Sequence, residues 1–261
     1  MAIAPTILVF DSGLGGLTVF REVAKARPDA RYLYVSDDAF FPYNSRGEAE
    51  LNAHVVALMG ELIAANGPDL VVIACNTAST LVLPRLREAY RVPFVGTVPA
   101  IKPACAISVS KRVTVLGTEA TVAREYTRTL IRDFGNGSDV ALIGSARLAG
   151  FAEAELGGSP VADALIAQEI APCFVDADGR RTDTVVLACT HYPLLLERLE
   201  RLAPWPVTFI DPAPAIARRV VDLAGPGTPV EAPSPARIVF TSGRAPSPAL
   251  AAALARFGIG Q

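Results

Sequence analysis

The chain has 261 residues, 51% of them apolar and 19% charged, which excludes a disordered protein and leaves ample apolar surface for a core. A formal net charge of −2 gives no electrostatic footprint for nucleic acid or an anionic membrane and points to a small-molecule partner. No apolar run approaches the roughly 20 residues that span a bilayer, and the N-terminus lacks the basic flank and cleavage site of a signal peptide, so the expected location is the cytoplasm.

Strands and helices alternate along the sequence. TILVF (6–10) reads as a strand, followed by the glycine-rich turn DSGLGG (11–16) and the amphipathic helix LTVFREVAKA. Next come the strand RYLYVS (31–36), a polar loop from Asp37 to Asn44, the long helix EAELNAHVVALMGELIAAN and the strand LVVIAC (70–75). The segment TVPAIKPA (97–104) punctuates the pattern with prolines. Beyond it lie the strands RVTVLG (112–117), DVALIG (139–144) and TVVLAC (184–189), with helices EYTRTLIRDFG and PLLLERLERLA. The strand RIVF (237–240) closes the series after a Pro-rich surface loop, GPGTPVEAPSPA (225–236). Nearly continuous apolar strands indicate burial on both faces, as in parallel sheets covered by helices.

The phrase VVIACNTA (71–78) returns as VVLACTHY (185–192), and LVFDSG is echoed more weakly by TVLGTEAT. A duplicated layout follows. The expected fold is α/β: two pseudo-symmetric domains, each a mostly parallel sheet flanked by helices, with the active site in the inter-domain cleft. The first domain is discontinuous, 1–98 plus 211–261; the second is 99–210. The crossings fall near TVPAIKPA and near WPVTFIDPAPAIA (205–217).

Ligands of such sheets bind beyond the carboxyl ends of the strands. Five polar groups fall at that level: Asp11-Ser12, the Asp37–Asn44 loop, Cys75-Asn76-Thr77, Thr118 to Thr121, and Cys189-Thr190-His191. The turn at 11–16 is not GxGxxG and has no acidic partner at the right distance, so a dinucleotide site has little support. The cysteines at 75, 105, 173 and 189 show no metal-ligand spacing. A buried strand-end cysteine is usually an inert small hydrophobe. Two at equivalent places, each opening a helix, read differently, because a helix N-terminus lowers a thiol pKa from about 8.5 toward neutrality. Cys105 and Cys173 lack that context and are assigned to structure. His191 stands two residues beyond a candidate thiol as a proton-transfer or orienting group. His54 lies in the long amphipathic helix and is assigned to structure. Asp11 could assist Cys75 or cap the helix that follows it.

Three chemistries could use the thiols. A Cys-His hydrolase leaves one cysteine unexplained, and a dithiol redox pair needs the sulfurs within bonding distance. Two-base proton transfer at one carbon needs two acids of similar pKa on opposite faces of the substrate, which a duplicated fold provides. None of the three lysines (Lys25, Lys102, Lys111) sits at a strand end, which disfavours a pyridoxal Schiff base.

DSGLGGLTV (11–19), YVSDDAFFPYN (34–44), ACNTAS (74–79), GTVPAIKPA (96–104) and ACTHYPLL (188–195), in this order, resemble the glutamate racemases of the aspartate/glutamate racemase superfamily, and the likeness runs nearly end to end. The resemblance implies interconversion of L- and D-glutamate without cofactor or metal, supplying D-glutamate for peptidoglycan. It implies that Cys75 and Cys189 accept and donate the protons, with Asp11 assisting Cys75 and His191 assisting Cys189. Substrate would be held by Asp11, Ser12, Tyr43, Asn44, Asn76, Thr77, Thr190 and His191, with Thr121 nearby. VPAIKPA resembles the branch activated by a muramyl-peptide precursor. Oligomeric state stays open, a homodimer being one arrangement. An aspartate racemase, a one-thiol decarboxylase relative and a non-catalytic amino-acid-binding protein are the alternatives, and retention of both cysteines disfavours the last two.

Two positions depart from the family pattern. Asn44 stands where Pro-Tyr-Gly is usual, and the expectation is that asparagine tolerates a positive φ there. Asp38 stands where threonine is frequent, with a carboxylate expected close to the anion-binding loop.

Overall fold

The computed structural model describes residues 4–260. The chain divides into two compact units, Met1–Thr97 with Ala213–Gln261, and Val98–Pro212. The first unit runs β1 (Thr6–Asp11), α1 (Leu17–Ala26), β2 (Arg31–Ser36), a 3₁₀ turn (Tyr43–Ser45), α2 (Glu48–Asn66), β3 (Leu70–Ile73), α3 (Asn76–Leu81), α4 (Leu83–Ala89) and β4 (Phe94–Gly96). The second contains α5 (Ile101–Ile107), β5 (Arg112–Thr118), α6 (Glu119–Ala123), α7 (Glu125–Phe134), β6 (Asp139–Ser145), α8 (Leu148–Leu156) and α9 (Asp163–Ile170). It continues through β7 (Asp176–Ala177), β8 (Arg180–Arg181), β9 (Thr184–Ala188), a 3₁₀ turn (Tyr192–Leu195), α10 (Leu196–Leu202) and β10 (Thr208–Ile210). The chain then re-enters the first unit with α11 (Ala213–Ala224), β11 (Arg237–Phe240) and α12 (Pro248–Arg256).

Each unit is built on a parallel sheet, as the unbroken apolar strands require. The first sheet has the order β11-β2-β1-β3-β4 and the second β10-β9-β5-β6. Read in reverse, the second order places β6, β5, β9 and β10 where the first places β2, β1, β3 and β4. The duplication heard in the sequence is therefore a duplication of topology, with β11 as an added edge strand. The turn after β3 and the turn after β9 are equivalent, and so are the ends of β1 and β5.

Burial explains why these segments are strands and helices. Ile7, Leu8, Val9 and Phe10 of β1 are completely buried, as expected of a central strand covered on both faces. On α2, Leu51, Val55, Met59 and Leu62 form one buried stripe in the core of the first unit. That helix stops at Gly67, whose φ of 52° is the left-handed conformation that ends a helix at low steric cost for glycine.

Some elements were not anticipated. The edge strands β4 and β10 have three residues each, too short to show a period. The small antiparallel pair β7–β8 turns on Asp178 and Gly179, with φ of 54° and 69°, the Asp-Gly signature of a two-residue hairpin. The strand expected over 70–75 ends at Ile73, and Cys75 sits in the turn that opens α3.

The first departure from the family pattern differs from expectation, and the second gains distant partners. Asn44 belongs to the 3₁₀ turn Tyr43–Ser45 and is not among the described residues with positive φ. No left-handed strain arises there. The Asp38 carboxylate is engaged elsewhere: Oδ1 accepts from the Ser242 N–H at 2.9 Å, and Oδ2 accepts from the Ser242 hydroxyl at 2.5 Å and from Arg244 Nη2 at 3.2 Å. It fastens the loop after β2 to the turn after β11. Burial works against its charge, but the Ser242 and Arg244 donors prevail and hold its pKa below the ordinary carboxylate value. We expect Asp38→Ala to destabilise the protein by about 1–2 kcal/mol, mostly from the two Ser242 bonds, since Arg244 is exposed. Urea unfolding midpoints of the two proteins measure it.

Candidate active site

In the first unit the site grows from the ends of β1 and β3, which are adjacent in register, with Phe10 opposite Ile73. The ladder extends one bond further, from the Ala74 N–H to the Phe10 carbonyl at 2.7 Å. Asp11 and Cys75 thus leave neighbouring strands at one level. Asp11 is fully buried, and its Oδ2 accepts from the Gly16 N–H at 2.9 Å, closing the turn into α1. Gly16 must be glycine: a Cβ there would stand 2.9 Å from Ala74 Cβ, Asp11 Cβ and the Tyr34 hydroxyl. Asp11 therefore caps a turn and also stands at the strand end beside the thiol's strand.

Cys75 is buried, and its Sγ lies 3.6 Å from Ser12 Oγ. Asn76 and Thr77 begin α3 directly behind it and are also buried. The Asn76 amide has no hydrogen-bond partner at Nδ2 or Oδ1, although the residue is only 3% exposed. A buried amide with neither end satisfied costs about 1–3 kcal/mol per group, and a polar ligand beside Cys75 would relieve that cost. Tyr43 is buried, and its hydroxyl donates to Asp37 Oδ2 at 2.6 Å. Burial, then the Asp37 charge, push this phenol far above its ordinary pKa, with smaller contributions from Cys75 and Asp11. Asn44 follows in the same turn, half-buried.

In the second unit the equivalent place is the end of β9, next to β5. Cys189, Thr190 and His191 are all buried there. His191 Nδ1 lies 3.8 Å from Cys189 Sγ, and its Nε2 lies 2.7 Å from Glu153 Oε1 on α8. Glu153 has no signature in the sequence: it is one of two acids on α8, 38 residues from the histidine. Thr121 is fully buried, its Oγ1 2.9 Å from Thr118 Oγ1, while the Thr118 side chain caps α6 by accepting from the Thr121 N–H.

The His191 ring is bracketed by two acids. Burial opposes its charge, but Cys189 and Glu153 outweigh that, so the ring titrates well above its ordinary range. Its Nδ1 faces the Cys189 sulfur and its Nε2 faces the Glu153 carboxylate. Its stabilising contribution is complete below the unfolded value near 6.5 and is lost as pH rises through the higher folded value. We expect His191→Asn to cost more stability at pH 6 than at pH 9.5, measured by denaturant midpoints at both.

The remaining cysteines are different. Burial pushes the Cys173 thiol up to about 12 and raises that of Cys105. Neither has a histidine beside it among the described residues, and Cys105 is influenced instead by Ser138 and Lys111. Among the described residues, no cluster of three or more His, Cys, Asp or Glu side chains is placed to hold a metal ion, and no helix is long and apolar enough to cross a membrane.

The sequence profile of the Asp/Glu/Hydantoin racemase family matches residues 15–220, a span containing both candidate thiols. A glutamate racemase of Brucella anthropi is 58% identical over 221 residues, covering 84% of this chain and 80% of its own. A crystal structure of Escherichia coli glutamate racemase, in complex with L-glutamate and the activator UDP-MurNAc-Ala, superposes with a TM-score of 0.89 at 38% identity, over 98% of this chain and 96% of that one. A glutamate racemase isoform of Bacillus anthracis gives 0.77 at 27% identity, over 92% and 89%. The doubled sheet with a buried thiol at each equivalent turn agrees with these likenesses, and the chain belongs to the Asp/Glu/hydantoin racemase family.

Proposed function

We propose that this protein interconverts L- and D-glutamate in the cytoplasm by two-base proton transfer at the α-carbon, supplying D-glutamate for peptidoglycan. One observation carries the reading: two sheets of the same strand order each present a buried thiol at the same strand-to-helix turn. A reaction that inverts one carbon needs a proton removed from one face and another delivered to the opposite face. Two thiols at equivalent turns of a duplicated topology supply the two like acids that such a reaction uses.

In this reading one thiolate takes the α-proton and becomes a thiol. The electron pair left on the α-carbon takes a proton from the other thiol, which becomes a thiolate. His191, held by Glu153, stabilises the thiolate of Cys189, and Asp11 serves Cys75. Asp11, Ser12, Tyr43, Asn44, Asn76, Thr77, Thr190 and His191 hold the amine and carboxylates. The unsatisfied Asn76 amide is the strongest single support for a polar ligand at Cys75. Thr121 contributes through Thr118 rather than through a free hydroxyl. A muramyl-peptide nucleotide of the kind bound by the Escherichia coli relative is the activator this reading expects, and adding it should raise the rate.

A circular-dichroism assay with L- and D-glutamate and with L- and D-aspartate tests the reading. Racemisation of glutamate in both directions is expected, and faster turnover of aspartate would overturn the substrate assignment. In parallel, glutamate should shield Cys75 and Cys189 from alkylation, read by peptide mass spectrometry. Cys105 and Cys173 should stay unlabelled with or without it. Protection of one strand-end thiol alone would argue against a shared substrate.

A further inference from the structure

His54 has no part in the reaction described above, yet it touches both anchors of the loop that carries Tyr43 and Asn44. The first anchor is polar. Asp37 is completely buried, and its Oδ2 accepts from the Tyr43 hydroxyl at 2.6 Å and lies 2.6 Å from His54 Nε2. Its Oδ1 accepts from the Thr241 hydroxyl at 2.7 Å, and its N–H donates to the Asp11 carbonyl at 2.8 Å. The Asp37 backbone ties the loop to the end of β1, and its carboxylate ties it to the turn after β11 and to α2. The second anchor is aromatic. The Phe40 ring stacks on the His54 ring with centroids 3.9 Å apart and planes 17° apart. The Arg46 guanidinium lies over Phe40 at 4.2 Å, and Arg46 Nε donates to the Phe40 carbonyl at 3.3 Å.

We propose that His54 is a positioning residue for substrate binding: by donating to Asp37 and stacking on Phe40, it sets where the Tyr43–Asn44 turn presents its groups beside Cys75. This rests on the proposed racemase reading for the identity of the substrate. The chemistry is directional. An ionised carboxylate only accepts, so Oδ2 can hold both neighbours only if each brings a proton. Tyr43 brings its hydroxyl, which its high pKa keeps protonated. His54 must therefore carry a proton on Nε2. The arrangement leaves the Tyr43 hydroxyl committed to Asp37, so this residue's contribution to binding comes from its backbone and ring. A misplaced turn weakens substrate binding while the thiols keep their own partners, so KM is the quantity that moves.

Three variants separate the two contacts. His54→Gln keeps a donor at the Nε2 position without the aromatic ring. His54→Phe keeps the ring without the donor, and His54→Ala removes both. We expect Ala and Phe to raise KM for glutamate about 10-fold with kcat within about 2-fold, and Gln to stay within about 3-fold of the parent KM. A residue that merely fills space on α2 would be replaced well by Phe. Parent-like KM in the Phe variant, or a loss confined to kcat, overturns the proposal.

A second measurement does not depend on turnover. The chain has two histidines, so long-range proton–nitrogen NMR spectra contain two rings, and the Gln variant identifies His54. The expected pattern at pH 8.5 is the Nε2–H tautomer, with signals that shift when glutamate is added. A proton on Nδ1 alone would overturn the Asp37 contact even in an active enzyme. If the parent does not racemise glutamate, the substrate assignment fails, while the tautomer still decides whether His54 holds Asp37.

Discussion

Replacing either Cys75 or Cys189 by alanine is expected to reduce interconversion by about 10³-fold or more, since in the proposed mechanism each removes the proton carrier for one face and general acid–base groups account for effects of roughly 10²–10⁴-fold. Isotope labelling makes the expectation specific. Started from L-glutamate in heavy water, the parent should place deuterium at the α-carbon of the D-product. The remaining L-glutamate should stay largely unlabelled early on, because its face sees only the thiol that took its proton. A single-base enzyme would label both enantiomers or return the original proton. Each alanine variant retains one thiol and could still exchange the α-proton of one enantiomer slowly. Because the loss concerns proton delivery and not the fold, far-ultraviolet circular dichroism of both variants should match the parent. Early deuterium in unreacted L-glutamate, or a single-cysteine variant that still racemises well, would sink the two-thiol mechanism.

The second large effect concerns Glu153, which touches no thiol in the structure but holds the far side of His191 at 2.7 Å. Glu153→Gln keeps the shape of the side chain and removes its charge. The glutamine oxygen still accepts from Nε2, but trading a charge-assisted hydrogen bond for a neutral one costs about 1–1.5 kcal/mol, which is roughly 5- to 12-fold in rate. Enantiomers have equal free energy in an achiral solvent, so kcat/KM must fall by the same factor in both directions. The asymmetry appears instead in the isotope effect. The variant slows the step at Cys189 and leaves Cys75 intact, so the α-deuterium effect should grow in the direction in which Cys189 removes the proton. In the opposite direction Cys189 delivers a proton, and the growth should appear as a solvent isotope effect. Unequal changes in kcat/KM between directions would indicate an error in the measurement. Unchanged kcat/KM, or a loss with every isotope effect unaltered, would show that Glu153 does not act through His191.

Much of the architecture was legible because parallel strands covered on both faces must be apolar at nearly every position. Segments 6–10, 31–36, 112–117 and 237–240 are strands in the structure within a residue at either end. The amphipathic stretches became α1 and α2 with the bounds their pattern implied. Recurrence of an apolar run ending in Ala-Cys exposed the doubling before any topology was known. The polar residues in those turns stood out for the same reason: a strand's core has no use for them.

What remained hidden depended on partners far away in the chain. The Asp38 carboxylate meets Ser242 across 204 residues, and only that meeting shows it as a fastening. Glu153 lies on α8 without any periodic or local signature, and its role exists only because the fold delivers His191 to it. Asn44 is not left-handed, because a glycine common in the family does not by itself require backbone strain, and the segment is an ordinary 3₁₀ turn. His54 was read from its helix alone, and its contacts with Asp37 and Phe40 come from a loop 17 and 14 residues earlier. Hydrophobic period is a local property that each segment displays by itself. A hydrogen bond between side chains is a property of two positions, and it exists only once packing has brought them within about 3 Å.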